Sequence, residues 1–291
     1  MSLVKTEYYK SDILSARWVA CRSARKAIGD IESSETNRLI LPLRGVCVMH
    51  FSRGTQVIGE PNLGLIVPAG RSYRVSHPVT EQDDCFVVEY SSECFRDVME
   101  AVLLSVGICS AGTHSFLSLP AIAARNLIWR RLAQNFASAL EVEETGLGLL
   151  SYALQHSRTD VVLRRRSSKI PRQIDIAKIV LLTHPEKNWS LNSLASSLNC
   201  SPFYLTRSFR EYVGMPLHRY QLQTRLAKAI DLLLDSNQDL MTIALNLGFS
   251  SHSHFTALFR QLLGFTPNRL REIASCRIAA EMRKLLLAPL S

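Results

Sequence analysis

The 291-residue sequence contains no run of 18 or more apolar residues, so it offers no helix that spans a bilayer. Its seven cysteines, at positions 21, 47, 85, 94, 109, 200 and 276, include no C-x-x-C pair. That scatter argues against a disulfide framework and against a zinc knuckle, and predicts buried, reduced thiols. Gly-rich phosphate loops, nucleophile elbows and zincin motifs are missing as well. In the first half His50, His77, His114 and His156 all stand more than four residues apart, so their spacing predicts neither a metal cluster nor an enzyme. The first 30 residues mix charged with apolar positions and form no export signal. The expectation is a cytoplasmic protein with no membrane partner, no metal and no cofactor.

What is present is enough apolar material for two cores, 47% hydrophobic with 20% charged. The net charge of +9 is unevenly divided. Residues 1–163 hold 16 basic and 17 acidic side chains, whereas residues 164–291 hold 18 basic and 8 acidic ones, a net of +10. One half therefore suits a polyanion. Composition alone does not choose among nucleic acid, an anionic membrane and a solvated surface. Between the halves, Arg164-Arg165-Arg166-Ser167-Ser168-Lys169 followed by Pro171 reads as a tether. The expected division is a domain at 1–163, a linker at 164–171 and a second domain at 172–291.

The first half reads as strands and then helices. Short β-rich runs at 39–51, 64–67, 73–75 and 85–90 alternate with turn residues such as Pro68-Ala69-Gly70. This rhythm predicts a small barrel or jelly roll, with Arg44, Met49, Tyr73 or Arg74 as candidates to face its interior. Helical spacing follows at 93–106, 120–140 and 148–163. These helices are expected to pack on the barrel and to supply a self-association surface, hence a homodimer.

The second half repeats itself. Leu191, Leu194, Ala195 and Leu198 recur 49 residues later as Leu240, Ile243, Ala244 and Leu247, and Leu205, Phe209, Arg210 and Gly214 recur 50 residues later as Phe255, Phe259, Arg260 and Gly264. Each copy predicts a short helix, a turn and a second amphipathic helix. Ser201-Pro202 is a helix start, and Ser250 or Ser251 is its counterpart. Asn199 and Gly248 occupy the turns, as the two residue types that enter the left-handed region most cheaply. Ala195 and Ala244 suit the close crossing of the two helices. A helix from Pro216 joins the copies; at about 1.5 Å per residue its roughly 18 residues span ~27 Å, which with the flanking helices approaches the ~34 Å groove repeat of a duplex. Helices at 170–182 and 267–287 complete the two cores.

The run Gly248-Phe249-Ser250-Ser251-His252-Ser253-His254-Phe255-Thr256-Ala257-Leu258-Phe259-Arg260, with Gly264-Phe265-Thr266-Pro267 and Arg271, closely resembles the signature of the AraC/XylS family of bacterial transcription regulators. The first copy, from Leu194-Ala195 to Gly214, fits the same pattern. The resemblance implies an α+β two-domain fold: an N-terminal cupin-like small β-barrel with appended helices, and a C-terminal all-α domain with two helix-turn-helix units joined by a long helix. It also implies an activator that takes a small-molecule effector and meets RNA polymerase. Helix geometry supplies the candidate contacts to double-stranded DNA. Phe203, Thr206, Arg207 and Arg210 lie opposite the apolar face of the first unit; Ser253, Thr256 and Arg260, with His252 near the helix start, lie opposite that of the second. Arg207 is the leading base reader, since a guanidinium donates twice to guanine O6 and N7, and Phe203 or Thr206 suits a thymine methyl. Tyr204, His254, Arg210 and Arg260 suit phosphate. Ala257 offers no hydrogen bond, so the second unit relies more on DNA shape. His252 and His254, two apart on a helix, point about 200° apart and do not share a metal ion. The competing readings are a ligand-independent repressor or architectural DNA binder, a cupin-type enzyme fused to a DNA module, and a helical protein-interaction module.

Overall fold

The computed structural model of the chain describes residues 2–22, 28–51, 56–78, 83–106, 114–158 and 172–275. They fall into two compact units, whose described residues are 2–158 and 172–275. The expected linker at 164–171 lies outside the described residues, as do 159–163 and 276–287 of the two expected helices that reach into those stretches.

The first unit is β-rich. Its strands are β1 (Ser2–Lys10), β2 (Leu14–Arg22), β3 (Asn37–Arg44), β4 (Cys47–Phe51), β5 (Gln56–Gly59), β6 (Leu63–Val67), β7 (Tyr73–Ser76), β8 (Asp83–Tyr90), β9 (His114–Phe116) and β10 (Ser157–Arg158). They pair antiparallel in a seven-stranded sheet, ordered β1-β2-β8-β3-β6-β9-β10, and a three-stranded sheet, ordered β5-β4-β7. The stretch 39–51, expected as one run, is two strands in different sheets. Gly45 stands between them with φ +76°, a left-handed turn that glycine enters without steric cost. The hairpin of β1 and β2 was missed altogether. Its signal is the period of two that buries Leu14, Ala16 and Ala20 on one face.

The large sheet is apolar on both faces because both are covered. On one side Ile40, Leu65, Val67 and Val87 meet Met49, Phe51 and Tyr73 of the small sheet in a common core. On the other, Leu39, Leu41, Phe86 and Val88 are buried, and Trp129 of the helical layer lies 6.2 Å from the Trp18 ring and 6.0 Å from Phe86. Each such side chain contributes about 1.5–3 kcal/mol on burial. The helices are α1 (Ser92–Val106), α2 (Leu119–Ala133) and α3 (Ala139–Gln155). The single helix expected over 120–140 is broken: Asn135 sits at φ +58°, and Ser138 with Glu141 forms a capping box that starts α3.

The second unit is all helical: α4 (Arg172–Thr183), α5 (Leu191–Ser197), α6 (Pro202–Val213), α7 (Leu217–Asp235), α8 (Leu240–Asn246), α9 (His252–Leu263) and α10 (Pro267–Ser275). Among the described helices, none is long and apolar enough to cross a membrane. The repeated positions are its core: Leu194, Ala195, Leu205 and Phe209 in the first copy, Ile243, Ala244, Phe255 and Phe259 in the second, all fully buried. Phe209 meets Tyr220 of α7 edge-on at 5.3 Å, and Phe249, Phe255, Phe259 and Phe265 form a chain of ring contacts.

One carboxylate works against this core. Burial pushes Asp175, in the first turn of α4, up to about 6 from 3.8, against the pull of Lys178. The folded state thus holds a proton between those pH values that the unfolded chain releases, so stability falls as pH rises through that window and the loss is complete above it. Asp175→Asn is expected to stabilise the unit at pH 7–8 by about 1 kcal/mol, a figure already reduced for partial exposure and for the charge lost from the helix N-terminus. Thermal melts at pH 4.5 and pH 7.5 check this: the gain should appear at the higher pH and shrink at the lower.

Candidate nucleic-acid interface

Each copy of the repeat is closed at both ends by the residues that the spacing singles out. Ser201 accepts a hydrogen bond from the Tyr204 amide at 3.1 Å, with Pro202 at the first helical position of α6. In the second copy Ser251 is the cap, accepting from the His254 amide at 3.1 Å. Gly214 and Gly264 end α6 and α9 in the left-handed region. The turns lie at Asn199, φ +50°, and Gly248, φ +75°. Two caps escaped the sequence reading: Ser190 starts α5, and Asp239 starts α8 by accepting from the Thr242 amide at 2.9 Å.

With the apolar positions sunk into the two cores, α6 exposes Phe203, Tyr204, Thr206, Arg207 and Arg210, and α9 exposes His252, Ser253, His254 and Arg260, with Thr256 half-buried. Phe203 is 76% exposed, an uncommon state for a phenyl ring in water. The Thr206 hydroxyl donates back to the Pro202 carbonyl at 2.9 Å, which leaves its methyl and its lone pairs for a partner. His252 pairs with Thr256 at 3.3 Å and His254 with Ser250 at 3.1 Å, so each ring is held on its own side of the helix. Among the described residues, none bonds the guanidinium groups of Arg207, Arg210 or Arg260. Other arginines of this unit are committed: Arg225 to carbonyls of two loops, Arg271 to carbonyls of Leu233 and Ser236, Arg269 to Glu272. Uncompensated cations on two exposed helix faces are what a phosphate backbone neutralises.

Arg225 is a positioning residue that sequence reasoning missed. From α7 its Nε donates to Pro185 O at 2.7 Å and its Nη2 to Lys187 O at 3.1 Å and Asn188 Oδ1 at 2.8 Å, while Nη1 donates to Gly248 O at 3.2 Å. It ties the loop that leads into the first copy to the turn of the second. In sequence it is one more charged residue on a helix.

The first unit contains a cavity of about 80 Å³ lined by residues of both sheets. Of the four residues suggested as interior, Met49 and Tyr73 line it and Arg44 and Arg74 do not. Arg17 and Arg38 flank the buried carboxylate of Glu89 at its wall. Burial pushes the thiol of Cys21 up to about 11 and that of Cys47 up to about 12. The volume is well below the roughly 300–1,000 Å³ of sites that take drug-sized ligands.

A family model described as a helix-turn-helix domain matches residues 194–273. The regulatory protein PocR of Salmonella typhimurium is 34% identical over 89 residues, 31% of this chain and 29% of PocR. The probable transcription factor PqrA of Proteus vulgaris is 32% identical over 82 residues, 28% of this chain and 67% of PqrA. A crystal structure of a transcriptional regulator with an AraC-type DNA-binding domain, from Chromobacterium violaceum, is 27% identical, with 36% of this chain and 95% of that one covered at a TM-score of 0.35. The chain spans less than half the length of the first curated relatives it matches. The match covers two thirds of PqrA, and on it the chain belongs to the AraC/XylS family of transcription regulators.

Proposed function

We propose that this protein is a sequence-specific DNA-binding transcription regulator whose α6 and α9 enter two successive major grooves of one duplex. The observation that carries this reading is the pairing of two helices, each opened by a serine cap, closed by a left-handed glycine and carrying unbonded arginine on its exposed face, in the half of the chain that holds the whole positive excess. Arg207 reads a base, Phe203 and Thr206 touch thymine methyls, and Tyr204, Arg210, His254 and Arg260 hold phosphates. His252, Ser253 and Thr256 face the second groove. α7, with 19 residues, and the Arg225 bonds set the separation of the two helices.

The first unit acts as a cupin-like domain for dimerisation and effector sensing, and the protein works in the cytoplasm as an activator that meets RNA polymerase. Two antiparallel sheets facing each other across an apolar core support the cupin-like reading. The side chains of Leu103 and Leu104 on α1, 48% and 88% exposed, support a homodimer surface on the helices.

The test is a binding selection on randomised duplexes with the full chain. Arg207→Ala is expected to lose about 1–3 kcal/mol on the preferred site and to relax one base position, whereas Arg210→Ala weakens all sequences alike. Log affinity should fall linearly with log salt, by about 0.9 per phosphate neutralised. Unchanged discrimination in Arg207→Ala, or an affinity indifferent to salt, refutes the reading.

A further inference from the structure

The histidine spacing hides a cluster that the sheets assemble. Cys21 and Asp83 are direct partners across the β2–β8 ladder, and His77 follows β7 in the other sheet. One donor atom from each of the three residues lies within 4.8 Å of the other two. All three residues are buried, His77 with 2% and Asp83 with 6% of its surface exposed. Cys21 Sγ stands 3.1 Å from His77 Nε2.

His77 Nδ1 and Asp83 Oδ1 approach to 3.1 Å, yet neither makes a hydrogen bond among the described residues. An unsatisfied buried polar atom costs about 1–3 kcal/mol, and here two of them share one small space. A cation between them turns that cost into two bonds. Bond lengths of about 2.0–2.3 Å for N, O and S donors give tetrahedral edges of roughly 3.3–3.6 Å, so Nδ1 and Oδ1 stand slightly closer than an edge, while the Cys21 thiol, which faces the other ring nitrogen, turns from Nε2 toward Nδ1 to complete the set.

We propose that Cys21, His77 and Asp83 bind one zinc ion, which clasps the two sheets and leaves its fourth position open to the cavity. The donor set decides the class of ion: one sulfur, one imidazole nitrogen and one carboxylate oxygen suit a borderline cation of tetrahedral habit, whereas magnesium and calcium demand oxygen throughout. On binding, the Cys21 S–H bond breaks, the sulfur forms a bond to zinc, and the proton leaves to solvent. The cavity of about 80 Å³ admits a water or a small donor group at the open position rather than a bulky molecule. Cys47 and Cys85 line the same cavity and form its wall. The clasp makes the packing of the small sheet on the large one depend on metal.

The experiment titrates the chelator-treated full chain with cobalt(II) as an optical stand-in for zinc. One equivalent should bring up a thiolate-to-cobalt charge-transfer band in the near ultraviolet with intense tetrahedral bands in the visible, and zinc should abolish both. Cys21→Ser should lose the charge-transfer band, and His77→Gln and Asp83→Asn should weaken binding at least tenfold. Cys94→Ser, on α1 away from the cluster, should titrate as the parent does. Zinc should also raise the melting temperature of the parent and of Cys94→Ser but not of the three cluster variants, as mass action on the folded state requires. Circular dichroism verifies that each variant is folded before titration, and Asp83→Asn, nearly isosteric, serves if Cys21→Ser or His77→Gln is not. No charge-transfer band in the parent, or a band that survives Cys21→Ser, overturns the proposal.

Discussion

Gly248→Ala is expected to destabilise the helical unit by at least 3–4 kcal/mol, whereas Gly264→Ala, at a nearly identical backbone angle, costs only about 1–2 kcal/mol. Gly248 has φ +75° and Gly264 φ +84°, so both substitutions place an L-residue in the left-handed region. They differ in what the new methyl meets. At Gly264 nothing lies within 4 Å, but at Gly248 the Cβ falls 2.3 Å from the Glu186 carbonyl oxygen and 3.2 Å from both the Glu186 carbonyl carbon and Arg225 Nη2. Backbone does not rotate aside as a side chain does, so the turn and the loop before α5 must separate, and the Arg225 bonds to both go with them. At about 4–8 °C per kcal/mol for a unit of this size, calorimetry on the full chain should find the helical transition lowered by more than 12 °C for Gly248→Ala. The Gly264→Ala shift should be less than half of that. Equal shifts for the two variants would mean that the close approach to Glu186 carries no energy.

That contrast also marks how far the sequence is readable. The duplicated spacing, Asn199 and Gly248 in the turns, Ala195 and Ala244 at the helix crossings and Ser201 as a cap are local signals, and each is enough to place its element without knowledge of the rest. The capping box Ser138–Glu141 was equally local and ends the expected helix at 120–140. The losses are long-range. Residue Glu186 touching Gly248 is a contact across 62 positions, and the turn glycine does not reveal what lies above it. Cys21 joins His77 across 56 positions only because β2 pairs with β8 and β7 lies in the facing sheet. Histidine spacing searches the chain in one dimension, and antiparallel register places ligands in three. The missed β1–β2 hairpin has a different cause: charged residues such as Lys5, Glu7 and Arg17 sit within its alternation and give it a polar character.

Arg225→Ala should be the second severe variant, with a loss of about 3–5 kcal/mol, and Arg225→Lys should recover less than half of it. Four hydrogen bonds leave from one guanidinium to acceptors on two loops, and bonds to a charged donor are worth about 1.5–3 kcal/mol where acceptors are partly buried. The sum is discounted because the Lys187 and Asn188 acceptors are exposed. Lysine presents a point charge on a flexible stem and does not span the fork that holds Pro185 O and Gly248 O together. Burial already lowers the pKa of Arg225 while Glu186 opposes the change, so the position favours the cation that keeps its charge under desolvation. The effect on DNA separates this residue from Arg207. Because the Arg225 guanidinium is already committed to four acceptors within the unit, its loss should weaken binding through the spacing of α6 and α9 while the dependence of log affinity on log salt keeps its slope; a phosphate contact such as Arg210, once removed, lowers that slope by about one. Measured well below the melting temperature of the variant, a salt slope reduced by one in Arg225→Ala would reassign this arginine to the DNA surface, and an unchanged stability would remove its role as the tie between the two copies.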